Sequence, residues 1–135
     1  PNAGWQREEQ FTDGTLRLLG LLWSLLDGSS LLLIEEPELS LNSAIVAEIP
    51  AMMQRIQKQS KRRRQILVST HTEALLSNPG IDASGVLIVE PGENGSTIRG
   101  INPSEDHAIM DGFSVAEVML PAARPGSVKQ LSLAL

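Results

Sequence analysis

An α/β fold with a parallel sheet at its core is predicted by three features of the sequence. These are a leucine-rich helical run over residues 15–26, two short apolar runs at 31–34 and 66–70, and an amphipathic helix between the two runs. Strand, helix and strand inside about 40 residues is the pattern of a βαβ unit, whose strands lie parallel. At 135 residues with 41% hydrophobic content the chain has the size and composition of one domain with a filled core, and two independent domains are not expected.

The elements follow in order. Residues 1–10 form a polar lead, and Thr12 or Asp13 stands where an N-cap belongs. The run 15–26 has no β-branched residue after Thr15 and is apolar on nearly every side, so burial on more than one face is expected. Asp27-Gly28 ends it. Leu31-Leu32-Leu33-Ile34 reads as a buried parallel strand that stops at Glu35-Glu36-Pro37-Glu38. Over 43–60, Ile45, Val46, Ile49, Met52, Met53 and Ile56 recur at helical spacing, with Pro50 expected to kink or restart the helix. After Lys61-Arg62-Arg63-Arg64, a second buried strand over 66–70 ends at His71, and 72–76 reads as a short helix closed by Asn78-Pro79-Gly80. Segments 86–90 and 97–101, joined by Gly92-Glu93-Asn94-Gly95, make a C-terminal β-hairpin. Short helices near 105–110 and 115–119 follow, then an unassigned tail.

Composition removes several function classes. The formal net charge of −5 gives no overall surface suited to coating nucleic acid or anionic lipid, so any such contact is local. With no cysteine there is no disulfide framework, thiolate zinc site or cysteine nucleophile. The apolar stretch 16–34 is cut by Arg17 and by Asp27-Gly28-Ser29-Ser30, so no membrane span is expected, no secretory leader is visible, and the expected location is cytoplasmic.

Both expected strands end in polar residues that a core strand does not need, Glu35 and Glu36 on one, Ser69, Thr70 and His71 on the other. Ligands of open α/β sheets bind at that carboxyl edge. Adjacent carboxylates repel and are costly to desolvate, which calls for a cation, magnesium above all, or for a raised pKa on one of them. Where the backbone turns at the strand end, one carboxylate can face a metal and the next an attacking water. The plain alternative is a solvated acidic loop, with Glu38 beside the positive end of the next helix.

Taken together, Phe11-Thr12-Asp13-Gly14-Thr15, the run from Leu31 through Glu35-Glu36-Pro37-Glu38-Leu39-Ser40-Leu41-Asn42, and Ile66-Leu67-Val68-Ser69-Thr70-His71 resemble three successive motifs of ABC-type ATPases, in the same order. The wording "DGTLRLL" and "EEPELSL" is most similar to the soluble SMC-related branch, which includes RecF-like and OLD-family ATPases. The resemblance implies a P-loop NTPase-like α/β fold, and ATP and Mg2+ as cofactors. In one partial ATPase domain over 1–135 it implies a signature motif at 11–15, a Walker B segment at 31–36, a D-loop at 40–42, a switch histidine at 71 and an extension over 102–135 without an assigned role. Position by position, Thr12, Asp13, Gly14 and Thr15 would meet a nucleotide phosphate at the free N–H groups of a helix start. Glu35 would hold magnesium, Glu36 would orient or deprotonate the attacking water, Ser40 and Asn42 would lie at a dimer interface, and His71 would reach the γ-phosphate. The chain departs from the pattern in having Glu35 for the usual aspartate, Asp13 for a frequent glycine and Asn42 for an acid.

No Gly-x-x-x-x-Gly-Lys run occurs, so the resemblance implies that an upstream P-loop lobe of the same protein completes the site and that two heads form a homodimer. DNA or a nuclease is a further partner class. Two other readings stand beside this one. A docking or regulatory module would keep the fold without catalysis, and a metal-dependent nuclease would use Glu35, Glu36 and Glu38. Lys61-Arg62-Arg63-Arg64 fits a DNA backbone, or the negative end of the preceding helix. Trp5 and Trp23 are expected to pack, and His107 to lie at the surface.

Overall fold

The computed structural model describes residues 4–5, 7–60, 64–92 and 95–124. The basic residues 61–63, the central residues 93–94 of the hairpin turn, the tail 125–135 and parts of the polar lead lie outside the described residues. The chain divides into two compact units, Pro1–Leu75 and Leu76–Leu135.

In the first unit, a short 3-10 turn at Glu8–Gln10 precedes α1 (Asp13–Leu26), β1 (Leu32–Glu35), α2 (Ser43–Gln59) and β2 (Ile66–Ser69). The strands pair in parallel with Leu32 opposite Ile66 and Glu35 opposite Ser69, as the βαβ spacing requires. Helix α2 supplies the best-buried side chains, Val46 at 3% and Ile49 at 1% exposure. Each such side chain contributes about 1.5–3 kcal/mol by leaving water. Pro50 lies inside α2, which neither stops nor restarts there. Its missing N–H removes one helical hydrogen bond.

Two expectations about burial fail in this unit. Helix α1 buries one stripe, Leu21 and Leu25, while Leu19, Trp23 and Leu26 face solvent. Strands β1 and β2 alternate between half-buried and exposed residues, with Leu33 69% and Leu67 43% exposed. Leu33 and Leu67 are register partners and so share one apolar, uncovered face. The sequence cannot distinguish a strand covered on both faces from one whose second cover is missing. Trp5 is likewise fully exposed rather than packed.

Arg64 shows what one residue of the basic run does. Its guanidinium donates to the carbonyls of Asp27, at 2.8 Å, and Ser24. It thereby satisfies the last turn of α1, not the end of α2 that the sequence reading assigned to it.

Helix α3 (Glu73–Leu76) ends at the boundary between the units. In the second unit, β3 (Ile88–Gly92) and β4 (Gly95–Arg99) form the expected hairpin, extended to the pair Gly92–Gly95 beside the turn. Helices α4 (Pro103–Met110) and α5 (Val115–Ala123) follow, and Ile88, Val115 and Met119 centre the core. Each helix begins with a reciprocal cap, Asn102 with Glu105 and Ser114 with Glu117. Arg99 ties hairpin to helix, reaching Glu90 at 2.7 Å and Glu105 at 2.8 Å. The Arg99 guanidinium, then the Asn102 amide, hold the Glu105 carboxyl below the usual carboxylate range. Among the described residues no helix is long and apolar enough to cross a membrane.

Candidate functional site

The two parallel strands of the first unit end together, and the pairing runs one residue further because the Glu36 N–H donates to the Ser69 carbonyl at 2.9 Å. At Glu36 the backbone turns into the left-handed region, with φ of 42°. Non-glycine residues rarely hold that conformation, and it concentrates at functional turns. The turn directs the Glu36 carboxylate to His71, whose Nδ1 lies 2.9 Å from Oε1. His71 itself is largely exposed and Glu36 about one-third exposed, so the pair sits at the surface with a free edge toward solvent.

A second contact binds the same two segments. The Thr70 hydroxyl donates to Glu38 Oε1 at 2.5 Å and accepts the Thr72 N–H at 3.1 Å. The other oxygen of Glu38 is buried without a partner among the described residues. Neither Glu38 nor Thr70 belongs to the ATPase site read from the sequence, where Glu38 entered only the nuclease reading. The Thr-His-Thr run and a glutamate two residues past Glu36 were the signals available, but side-chain pairing across strand ends is not written in either segment alone.

The loop after Glu38 reaches the start of α1. Ser40 is the second non-glycine residue among those described with positive φ, at 64°. Its carbonyl oxygen stands 2.4 Å from where a β-carbon on Gly14 would be. Thr12 caps α1, its hydroxyl accepting the Thr15 N–H at 3.3 Å and lying 2.9 Å from the Thr15 hydroxyl. Asp13 occupies the first turn, where helix polarity favours an acid. Asn42 caps α2 through the Ala44 N–H at 2.9 Å.

The sequence-derived residues therefore fall into three groups. Glu36 and His71 meet directly, Gly14 meets the backbone of Ser40, and Thr12 and Asn42 serve as helix caps, Thr12 holding the Thr15 N–H. Glu35 stands apart, exposed and opposite Ser69 in the register. A cleft of about 260 Å³ opens beside β1, lined by Arg17, Leu21 and Ser24 of α1 and by Ile34, Glu35 and Glu36. Among the described residues no three carboxylates or imidazoles are grouped to hold a metal by themselves. Such a set fits magnesium only in the manner of nucleotide sites, where one or two carboxylates act together with phosphate oxygens.

A family profile described as "AAA domain, putative AbiEii toxin, Type IV TA system" matches residues 1–77. No curated protein sequence matches the chain. A solved structure described as "Structural biochemistry of ATP-driven dimerization and DNA stimulated activation of SMC ATPases" is similar over 82% of this chain and 67% of its own, with a TM-score of 0.54 and 17% identity. At that identity the likeness is one of fold. Mixed α/β architecture, a parallel strand pair with flanking helices and a C-terminal antiparallel hairpin agree with it. With a family profile spanning more than half of its residues, the chain belongs to this AAA domain family and carries part of an ABC/SMC-like P-loop ATPase fold.

Proposed function

We propose that the chain supplies one half of a composite ATP-hydrolysing site, completed by a P-loop lobe and by a second ATPase head. The observation that carries this reading is the Glu36–His71 pair at the ends of adjacent parallel strands. A carboxylate hydrogen-bonded to an imidazole, both with access to solvent, can orient a water and hold its proton while the imidazole faces a phosphate. Phosphoryl transfer asks the protein mainly for positioning and charge compensation, which suits such a small constellation. Glu35 is the residue that would help hold magnesium beside nucleotide oxygens. The ion, bound with ATP, neutralises phosphate charge. The first turn of α1 would present the N–H groups of Asp13 and Gly14, with the hydroxyls of Thr12 and Thr15 beside them, to the nucleotide of the facing head. Ser40 and Asn42, on the loop beside it, would lie at the same interface.

The uncovered face carrying Leu33 and Leu67 supports the need for a further lobe, since apolar sheet faces are normally covered. It equally suits a docking module, so the two readings separate on catalysis. The test is to combine the chain with its P-loop lobe and to measure phosphate release and ATP-dependent dimerisation, with and without duplex DNA. Hydrolysis with dimerisation supports the composite site. A folded assembly that does neither overturns it in favour of docking.

A further inference from the structure

We propose that Glu38 is a positioning residue which, through the Thr70 hydroxyl, fixes the backbone turn that aims His71 at Glu36. The inference rests on the reading of Glu36 and His71 as the hydrolytic pair, and adds the element that holds them in register.

Thr70 has a single proton, which it donates to Glu38 Oε1 at 2.5 Å. With that proton committed, its lone pairs are turned to the Thr72 N–H at 3.1 Å. Thr70 and Thr72 flank His71, so this closed turn spans the histidine's own backbone. The hydrogen bond to an ionised carboxylate is stronger than one to water, and it sets the rotor on which the turn depends. On the other side, the Glu36 N–H is held by the Ser69 carbonyl at 2.9 Å. Residues 36–38 and 69–72 are therefore tied by the Glu36 amide, by the Glu36–His71 pair and by Glu38–Thr70.

The burial of Glu38 favours this role over a solubilising one. One of its oxygens is shut away from water with no partner among the described residues, a position that a carboxylate serving only solubility would not take. An apolar side chain could fill the space but would supply no acceptor, leaving the Thr70 hydroxyl to turn away.

The test uses the full chain with Glu38→Ala, Glu38→Leu and Glu38→Gln, and Thr70→Val as the reference in which the Thr72 acceptor itself is gone. The first readout is hydrogen exchange of the Thr72 amide, with the amides of Ile34 and Leu67 as folding controls, and the ring signals of His71, one of two histidines in the chain. Loss of the Glu38 acceptor is expected to speed Thr72 exchange about tenfold in Glu38→Ala and Glu38→Leu, toward the rate of Thr70→Val, which lacks the oxygen that receives the Thr72 N–H. Glu38→Gln, which keeps an acceptor oxygen, should return it close to the original rate. The second readout is the chain joined to its P-loop lobe. There, kcat should fall about tenfold in Glu38→Ala with KM for ATP little changed, because positioning is lost while nucleotide contacts remain. Unchanged Thr72 exchange in a folded Glu38→Ala chain, or failure of Glu38→Gln to restore it, overturns the proposal. Should Glu38→Ala not fold, Glu38→Leu, which fills the space without supplying an acceptor, decides by the same criterion. An assembly of the unmutated chain that binds its lobe yet never hydrolyses ATP overturns instead the reading on which the proposal rests.

Discussion

The carbonyl oxygen of Ser40 fills the space that a β-carbon on Gly14 would need, at 2.4 Å from its ideal position. The obstacle is backbone, so neither side can rotate out of the way. Helix α1 and the loop leaving β1 therefore approach closely only because residue 14 has no side chain.

Gly14→Ala is expected to destabilise the first unit by about 1–3 kcal/mol, the usual cost of forcing added volume into a packed contact. Gly20, in the same helix, has nothing within 4 Å of its β-position. Gly20→Ala should therefore stabilise by about 0.5–1 kcal/mol, because alanine is the better helix former. Urea unfolding of both variants checks the pair. Equal effects of the same sign would contradict the close approach.

In the composite site proposed above, Glu36→Gln would keep the shape of the side chain and remove the carboxylate that is to act on water. Hydrolysis is expected to fall by about 100-fold or more, the contribution typical of a positioned general base, with ATP still bound. His71→Ala should slow turnover by a smaller factor. Phosphate release and filter binding of ATP separate chemistry from affinity. Full turnover in Glu36→Gln would remove it from the catalytic role.

The way these residues were legible explains what was not. Glu36 and His71 could be placed at one sheet edge from sequence because each ends a short apolar run, and a βαβ unit brings such ends together; their direct contact could not. The Thr12 cap could be placed to within one residue from its local pattern. The partners of Arg64 could not, since they are carbonyls of α1 far back in the chain, and a guanidinium has many acceptors to choose among. The uncovered face at Leu33 was invisible for a similar reason: a four-residue aliphatic run records a strand, and burial depends on what packs against it. In the second unit, the signals at Asn102-Pro103-Ser104-Glu105 and Ser114-Val115-Ala116-Glu117 are complete capping boxes. They mark helix starts more sharply than the weak apolar periodicity did. Pro121, which reads as a terminator, lies inside α5 and masks its true end.

Acid should weaken the second unit through Glu105. Its carboxyl is held below the ordinary range in the folded chain, chiefly by Arg99. The stabilisation is thus fully present above the unfolded-state pKa and is lost as pH falls through the depressed folded value. Arg99, pushed further upward by the same contacts, stays charged throughout. Glu105→Gln is expected to lower Tm at neutral pH and to flatten its decline between about pH 5 and pH 3, the region where carboxylates titrate. Thermal unfolding followed across that range provides the check. An identical acid limb in the variant would show that other carboxylates carry the effect.

Buried and exposed apolar residues of the first unit should respond to mutation in different ways. Ile49 of α2 is almost wholly buried in the first unit, so Ile49→Ala should cost about 2–5 kcal/mol and unfold much of it. Leu33, which shares an exposed face of the strand pair with Leu67, is 69% exposed, so Leu33→Lys should change the chain's own stability by no more than about 0.5 kcal/mol. If that face receives the P-loop lobe, the same lysine would bury an unpaired charge on assembly, which is strongly unfavourable. Binding of the lobe, measured by calorimetry, should then weaken by tenfold or more for Leu33→Lys, while the isolated variant unfolds at an unchanged urea midpoint. A variant that loses stability in isolation as Ile49→Ala does would mean that the face is already covered within this chain. A folded variant that still binds the lobe at full affinity would put the junction on another surface, with the free edges of β1 and β2 the next to be tested.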